Sequence, residues 1–158
     1  MSKPSAIQVG RSAEHFVVAE IHRRGGWAAC FGGNMPKIDV LATDVGQTRT
    51  VTIQVKAKFG GSAWQTSITR GRRWSPQAFG EDVGRFWVLV DLRQSAPGFY
   101  VMPERWIEND IASDHAAYLA AHGGVRPGNN PNSTHHAIQT TRVEQWLERW
   151  DLLGIFAA

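Results

Sequence analysis

Cysteine is almost missing from this chain. Cys30 stands alone, which excludes an intrachain disulfide and any zinc site built from several cysteines. Long apolar runs are missing too: none approaches the roughly 20 residues that a helix needs to cross a bilayer. The stretch "MSKPSAIQVGRSAEHF" holds no apolar h-region of a signal peptide, so the expected setting is the cytoplasm, with no membrane partner. Internal repeats and low-complexity tracts are absent. The composition, 42% hydrophobic and 20% charged, is that of a folded chain and not of a disordered one. At 158 residues, one domain spanning 1–158 is the expected organisation.

The most informative absence is that of acid. Between Asp44 and Glu81 there is no Asp or Glu, while Arg49, Lys56, Lys58, Arg70, Arg72 and Arg73 all fall there. The net charge of +3 says little by itself. A one-sign segment of this length would attract a polyanion and steer its approach; the competing reading is a solvated basic face without a ligand. Lys58, Arg70, Arg72 and Arg73 are the candidate phosphate contacts, which position a nucleic acid without reading it. Trp64 and Trp74 lie in the same segment, where stacking on unpaired bases competes with burial; Trp64 is taken with the candidate nucleic-acid residues. Trp87, Trp146 and Trp150 sit in apolar patterns and are expected in the core.

Periodicity gives a helix over residues 12–24, with Ser12 as N-cap, Phe16, Val17, Ala19 and Ile21 on its apolar side, and Gly25-Gly26 as its stop. "WAACFGG" reads as a short strand. "KIDVLAT" and "RTVTIQVKAK", joined by the turn-rich "DVGQ", read as an antiparallel hairpin. Residues 62–79 show no clear period and read as loop with a short helical piece. "RFWVLVDL" is an apolar run suited to a buried strand, and "GFYVMP" makes a hairpin with it. Residues 104–124 are helical in parts, 125–136 are a polar loop, and "TTRVEQWLERWDLLG" reads as one amphipathic closing helix. The order predicts a mixed α/β fold.

Within the first hairpin, Gln54 and Lys56 share a strand face while Val55 points away. Asp39, between Ile38 and Val40, is costly there unless it has a partner. Pairing across the turn brings Asp39 toward Gln54 and Lys56. Asp and Gln oxygens, a backbone carbonyl (that of Val55) and water suit Mg²⁺ or Mn²⁺, hard cations that favour oxygen. Such a metal polarises a phosphate and activates water, and Lys56 would position that water or stabilise developing charge. Glu14, early in the first helix, would hold the metal through water; the alternative is a first-turn acid favoured by the helix dipole. His135 and His136 point to opposite strand faces and are expected as a polar surface pair, with phosphate contact as the alternative. His115 with His122, and His15 with His22, lack a third ligand.

Glu14 in an N-terminal helix, Asp39 on one strand and Gln54-Val55-Lys56 on the next resemble the PD-(D/E)XK nuclease superfamily. "GRSAEHFVVAEIHRRGG" is similar to the first helix of its branch near archaeal Holliday-junction resolvases. Pro36 stands three before Asp39, so the literal Pro-Asp pair is absent, and Gln54 replaces the commoner Glu or Asp. The resemblance covers roughly residues 10–101. It implies a restriction-endonuclease-like core, a central mixed four- to five-stranded sheet flanked by helices, with a divalent metal at Asp39 and Gln54 and endonucleolytic hydrolysis of DNA. Resolvase-like members are typically dimers, so a homodimer is the implied assembly. Two other readings compete: a nucleic-acid-binding module on the same scaffold that no longer cuts, and an interaction protein using its Trp-rich C-terminal helix.

Overall fold

The computed structural model describes residues 3–32, 35–67 and 84–157. Helix α1 runs Ala6–Arg23, six residues earlier than periodicity predicted. Its true N-cap is Ser5, in a capping box: the Ser5 side chain accepts from the Gln8 amide, and the Gln8 side chain accepts from the Ser5 amide. Ser12 instead lies within the helix and bonds back to the Gln8 carbonyl at 2.9 Å. Ala13, Val17 and Ile21, spaced by four, form its buried stripe. Arg24 and Gly25 end it, with Gly25 at a φ of 90°. At Gly26 a Cβ would stand 3.0 Å from Ile21 and 3.2 Å from Phe156, so a side chain there would require both neighbours to give by a few tenths of an ångström.

Strands β1 (Trp27–Cys30), β2 (Val40–Thr43), β3 (Thr50–Lys58), β5 (Arg85–Asp91) and β6 (Gly98–Pro103) form a mixed sheet in the order β1-β2-β3-β5-β6. Only β3 and β5 are parallel; the other pairs are antiparallel. The first hairpin therefore forms as its alternation predicted, with Val40 opposite Ile53. Its turn is built by Asp44, whose carboxylate accepts from the amides of Thr48 and Arg49 and from the Thr48 hydroxyl. Those bonds hold its pKa down at about 2. The mixed five-stranded sheet with flanking helices is the architecture that the resemblance implied.

Two cores lie against opposite faces of this sheet. Val51, Ile53 and Val55 of β3, with Val88 and Val90 of β5, face α1 and the C-terminal Trp150, Leu153 and Ile155. Trp87 and Leu89 of β5, with Tyr100 and Met102 of β6, face the second helix, α2 (Glu104–Ala121), through Ile107 and Ile111. Because β5 is covered on both faces, its sequence reads as an unbroken apolar run.

Two regions depart from expectation. Residues predicted as loop contain β4 (Ala63–Ser67), which pairs antiparallel with β7 (His135–Gln139) in a separate two-stranded sheet. The predicted C-terminal helix is broken into α3 (Thr140–Val143) and two 3₁₀ turns, Glu144–Trp146 and Trp150–Leu153. Leu147 bridges to Tyr100 of β6, and Glu148 takes a φ of 55°. The break lets Val143 enter one core and Trp150 the other, which no straight helix could do.

Trp64 corrects another expectation. It is fully buried in the second core, its Nε1 donates to the Val90 carbonyl at 2.9 Å, and its ring meets Tyr100 edge-on at 5.2 Å. It offers no face to a nucleic-acid base. Trp64→Ala is expected to cost about 3–5 kcal/mol, read as a lowered urea midpoint; an unchanged midpoint would contradict this packing role.

Candidate functional site

Asp39 occupies the point where β2 and β3 part. Its amide donates to the Ile53 carbonyl at 2.9 Å, and its carbonyl accepts from the Phe31 amide at 2.8 Å. The backbone of Asp39 is thus tied to β3 on one side and to the end of β1 on the other. Its carboxylate Oδ2 accepts from the Val55 amide at 2.7 Å. The apolar neighbourhood that made an acid here costly is answered by that bond. The last paired residues are Val40 and Ile53, so continuing the register sets Asp39 across from Gln54. In an extended strand a residue's N–H and C=O point to the same side. The Val55 carbonyl therefore lies on the same edge as the amide that Asp39 takes.

Preceding Asp39, Lys37 adopts a φ of 66° and pairs with Glu108 of α2 at 2.9 Å. This contact fastens the approach to Asp39 onto the second helix.

Glu14 lies more than two turns into α1, not in its first turn, so helix-dipole stabilisation does not explain it. It pairs with Arg11 at 2.8 Å, one turn earlier on the helix. Glu14, Arg11 and Asp39 line one cleft of about 420 Å³, together with Gly10, Phe31 and Pro36. The structure thus brings Glu14 and Asp39 to a common space. Arg11 was not singled out from sequence, although its three-residue spacing from Glu14 was the available signal.

Gln54 and Lys56 lie on the face of β3 opposite to Val51, Ile53 and Val55, as alternation predicted. Lys56 lines a second cleft of about 1170 Å³, and Gly10 lines both clefts. Gln54 lines neither of these clefts. Among the described residues no three His, Cys, Asp or Glu side chains converge as a metal cluster. The oxygen groups around Asp39 are two carboxylates, the Val55 backbone edge and, by register, the Gln54 amide.

Lys58 is not a free phosphate contact. It is 3% exposed; its Nζ meets Asp91 at 3.2 Å and donates to the Thr140 hydroxyl at 2.6 Å. The same ammonium sits 3.6 Å from the Trp64 ring centroid. Burial pushes its pKa down, against the pull of Asp91. Thr140 in turn donates to the Ser62 carbonyl at 3.1 Å. The cluster clamps the end of β3 to the β4–β7 sheet. Arg70, Arg72 and Arg73 lie outside the described residues.

His135 and His136 do point to opposite faces, but they are no surface pair. His135 is exposed while His136 is buried beside Asp114 at 3.4 Å and the His115 ring at 6.0 Å. Burial lowers the His136 pKa, against the Asp114 carboxylate.

No family model and no curated protein sequence matches the chain. Solved structures do. A bacterial homing endonuclease, I-Ssp6803I, is similar over 96% of this chain and 92% of its own, with a TM-score of 0.58 and 16% identity. The Holliday junction resolvase Hjc of Archaeoglobus fulgidus is similar over 94% of this chain and 98% of its own, with a TM-score of 0.51 and 17% identity. At these identities the likeness establishes the fold.

Asp91 generates a pH prediction. Burial raises its pKa, but Arg93 at 2.7 Å and Lys58 outweigh this and bring it down to about 2. A carboxyl depressed in the folded state contributes stability above its unfolded value, near 4, and loses it as pH falls toward 2. Asp91→Asn should flatten the fall in stability between about pH 4 and pH 2, measured by urea unfolding at several pH values. A slope equal to that of the wild type would remove Asp91 as the titrating group.

Proposed function

We propose that the protein is a metal-dependent endonuclease that hydrolyses DNA phosphodiester bonds and belongs to the PD-(D/E)XK superfamily. The carrying observation is that Glu14 and Asp39 share one cleft at the end of β2, beside the strand that bears Lys56. The fold supports the reading, since the two similar structures are a homing endonuclease and a Holliday junction resolvase. Structure-selective cleavage of branched DNA and a homodimeric assembly belong to the same proposal.

The donors are all oxygen and include two carboxylates, a set that suits Mg²⁺ or Mn²⁺, which binds through one or two carboxylates and retains waters. Asp39, the Val55 carbonyl and Gln54 would hold it, with Glu14 acting through water. When bound, the ion supplies Lewis-acid polarisation of the phosphate and an acidified water. The chain's own residues do the rest. The Val55 amide fixes one Asp39 oxygen and so orients the carboxylate toward the cleft. Arg11 holds Glu14 in place. Lys56 stabilises negative charge that develops on the phosphate.

Plasmid, branched and single-stranded DNA incubated with the protein in Mg²⁺ or Mn²⁺ test this directly. Lys56→Ala is expected to slow cleavage about 10²–10³-fold, and Asp39→Ala to slow it at least as much. Cleavage persisting at the wild-type rate in both variants would overturn the assignment. Gln54→Glu adds a negative charge and should tighten Mn²⁺ binding in calorimetry; equal or weaker affinity would remove Gln54 from the donor set.

One observation favours a second reading, a nucleic-acid-binding module without catalysis: Gln54 lacks the carboxylate's charge and lines neither cleft. Salt-dependent binding of DNA with no metal-dependent cleavage would select it.

A further inference from the structure

The β4–β7 ribbon has an inner face that the fold uses and an outer face that it does not. Trp64, Ile138 and His136 point inward and are buried. Alternation sends Gln65 and Gln139 outward, and both are exposed. Their cross-strand partners are Ala137 and Ala63, so the two glutamines lie diagonally on one face with only methyl groups between them. Neither amide has a hydrogen-bond partner among the described residues. Both line the 1170 Å³ cleft that also contains Lys56 and Lys3, and no Asp or Glu lines it.

We infer that this ribbon enters the major groove of duplex DNA and that Gln65 and Gln139 read base edges there, making the protein sequence-selective. The inference rests on the DNA reading above. Three physical features carry it. The major groove, about 12 Å wide, admits a two-stranded ribbon, whose strands lie about 5 Å apart. Glutamine pairs bidentately with the N6 and N7 of adenine, whereas a surface built only to hold phosphate would present Lys and Arg. The charge of the cleft complements a polyanion.

Rigidity makes the readers useful. Trp64 fastens the inner face to β5, and the Lys58–Thr140–Ser62 chain of hydrogen bonds fastens the end of the ribbon to β3, two residues beyond Lys56. The bases that are read are thereby held at a fixed offset from the phosphate that Lys56 would face. Small neighbours matter as well: larger side chains at positions 63 and 137 would lift the ribbon off the groove floor.

The test is a binding selection with the full chain on a randomised duplex library, in Ca²⁺ in place of Mg²⁺, followed by cleavage of the selected duplex in Mg²⁺. Enrichment of a sequence containing adenines is expected. Gln65→Ala and Gln139→Ala should each weaken binding to the selected duplex by about 5- to 150-fold and leave binding to a scrambled duplex within about twofold. Gln65→Glu should shift one selected base from adenine to cytosine, whose N4 donates to a carboxylate; a merely structural role would not produce that change. No enrichment, or a preference unaltered in both alanine variants, overturns the inference even if cleavage is robust. Selection without cleavage would overturn the nuclease reading and leave the ribbon's role standing. No binding to any duplex would remove both.

Discussion

Beyond Ile53, β3 keeps a neighbour on one side only. Parallel β5 continues alongside it as far as Lys58 and Asp91, while β2 has already ended at Val40. The next edge amide, that of Val55, would be left without a strand partner, and Asp39 supplies one through its side chain. A carboxylate here replaces a rung of the ladder. The same bond satisfies the amide, orients the acid and ties the two strands together where their ladder ends. Replacing the acid by an apolar residue would leave a backbone donor unpaired, at a cost of about 1–3 kcal/mol. On the proposed reading, structural and chemical demands on Asp39 coincide: two backbone hydrogen bonds, to Ile53 and Phe31, fix its place in the chain, and one side-chain bond, from the Val55 amide, fixes its carboxylate.

The fork also explains how one strand can serve two environments. Its inward residues Val51, Ile53 and Val55 pack under α1, which carries Glu14. Its alternate residues Gln54, Lys56 and Lys58 face the side closed by α2 and the small sheet. Both lysines line the larger cleft, but Lys56 is half-buried whereas Lys58 is 3% exposed, its ammonium held by Asp91, Thr140 and the Trp64 ring. Two lysines of one strand face, two residues apart, therefore differ in kind. One is available to an anion, and the other is committed to joining two sheets. Breaking a buried pair by removing one partner is far more costly than losing an exposed charge, so substitution at Lys58 acts first on stability.

Alternation was enough to read the hairpin and the approach of Asp39 to the arm that carries Gln54, and an unbroken apolar run was enough to read the burial of β5. Local chemistry was enough for the stop of α1. Its start was missed because Ser12 and Ser5 are both good caps by type, and the apolar stripe begins only at Ala13; the Ser5–Gln8 capping box was the signal that decided it. The small sheet was hidden for a different reason. Ala63–Ser67 finds its partner at His135–Gln139, some seventy positions away, and no local pattern encodes such a pairing. The burial of Trp64 and His136 depends on the same pairing, because only the ribbon turns each of them toward the core. The C-terminal segment has helical periodicity, yet it serves two cores on opposite sheet faces, and tertiary packing overrode propensity.

Gln54 is where sequence pattern and geometry meet least simply. Strand register sets it opposite Asp39, the position at which a second acid would raise the negative charge of the fork. With an amide there, the carboxylates of the cleft are Asp39 and Glu14, and Glu14 is already paired with Arg11. Less uncompensated charge means a weaker pull on a divalent cation, but also less repulsion of an approaching phosphate. On the proposed reading, affinity would then rest more on the substrate, whose own phosphate oxygens complete the set of hard donors. Such a site would hold its cation more tightly once the nucleic acid is in place. The cleft around Lys56, which no Asp or Glu lines and which shares Gly10 with the Asp39 cleft, is the surface across which that substrate would be drawn in.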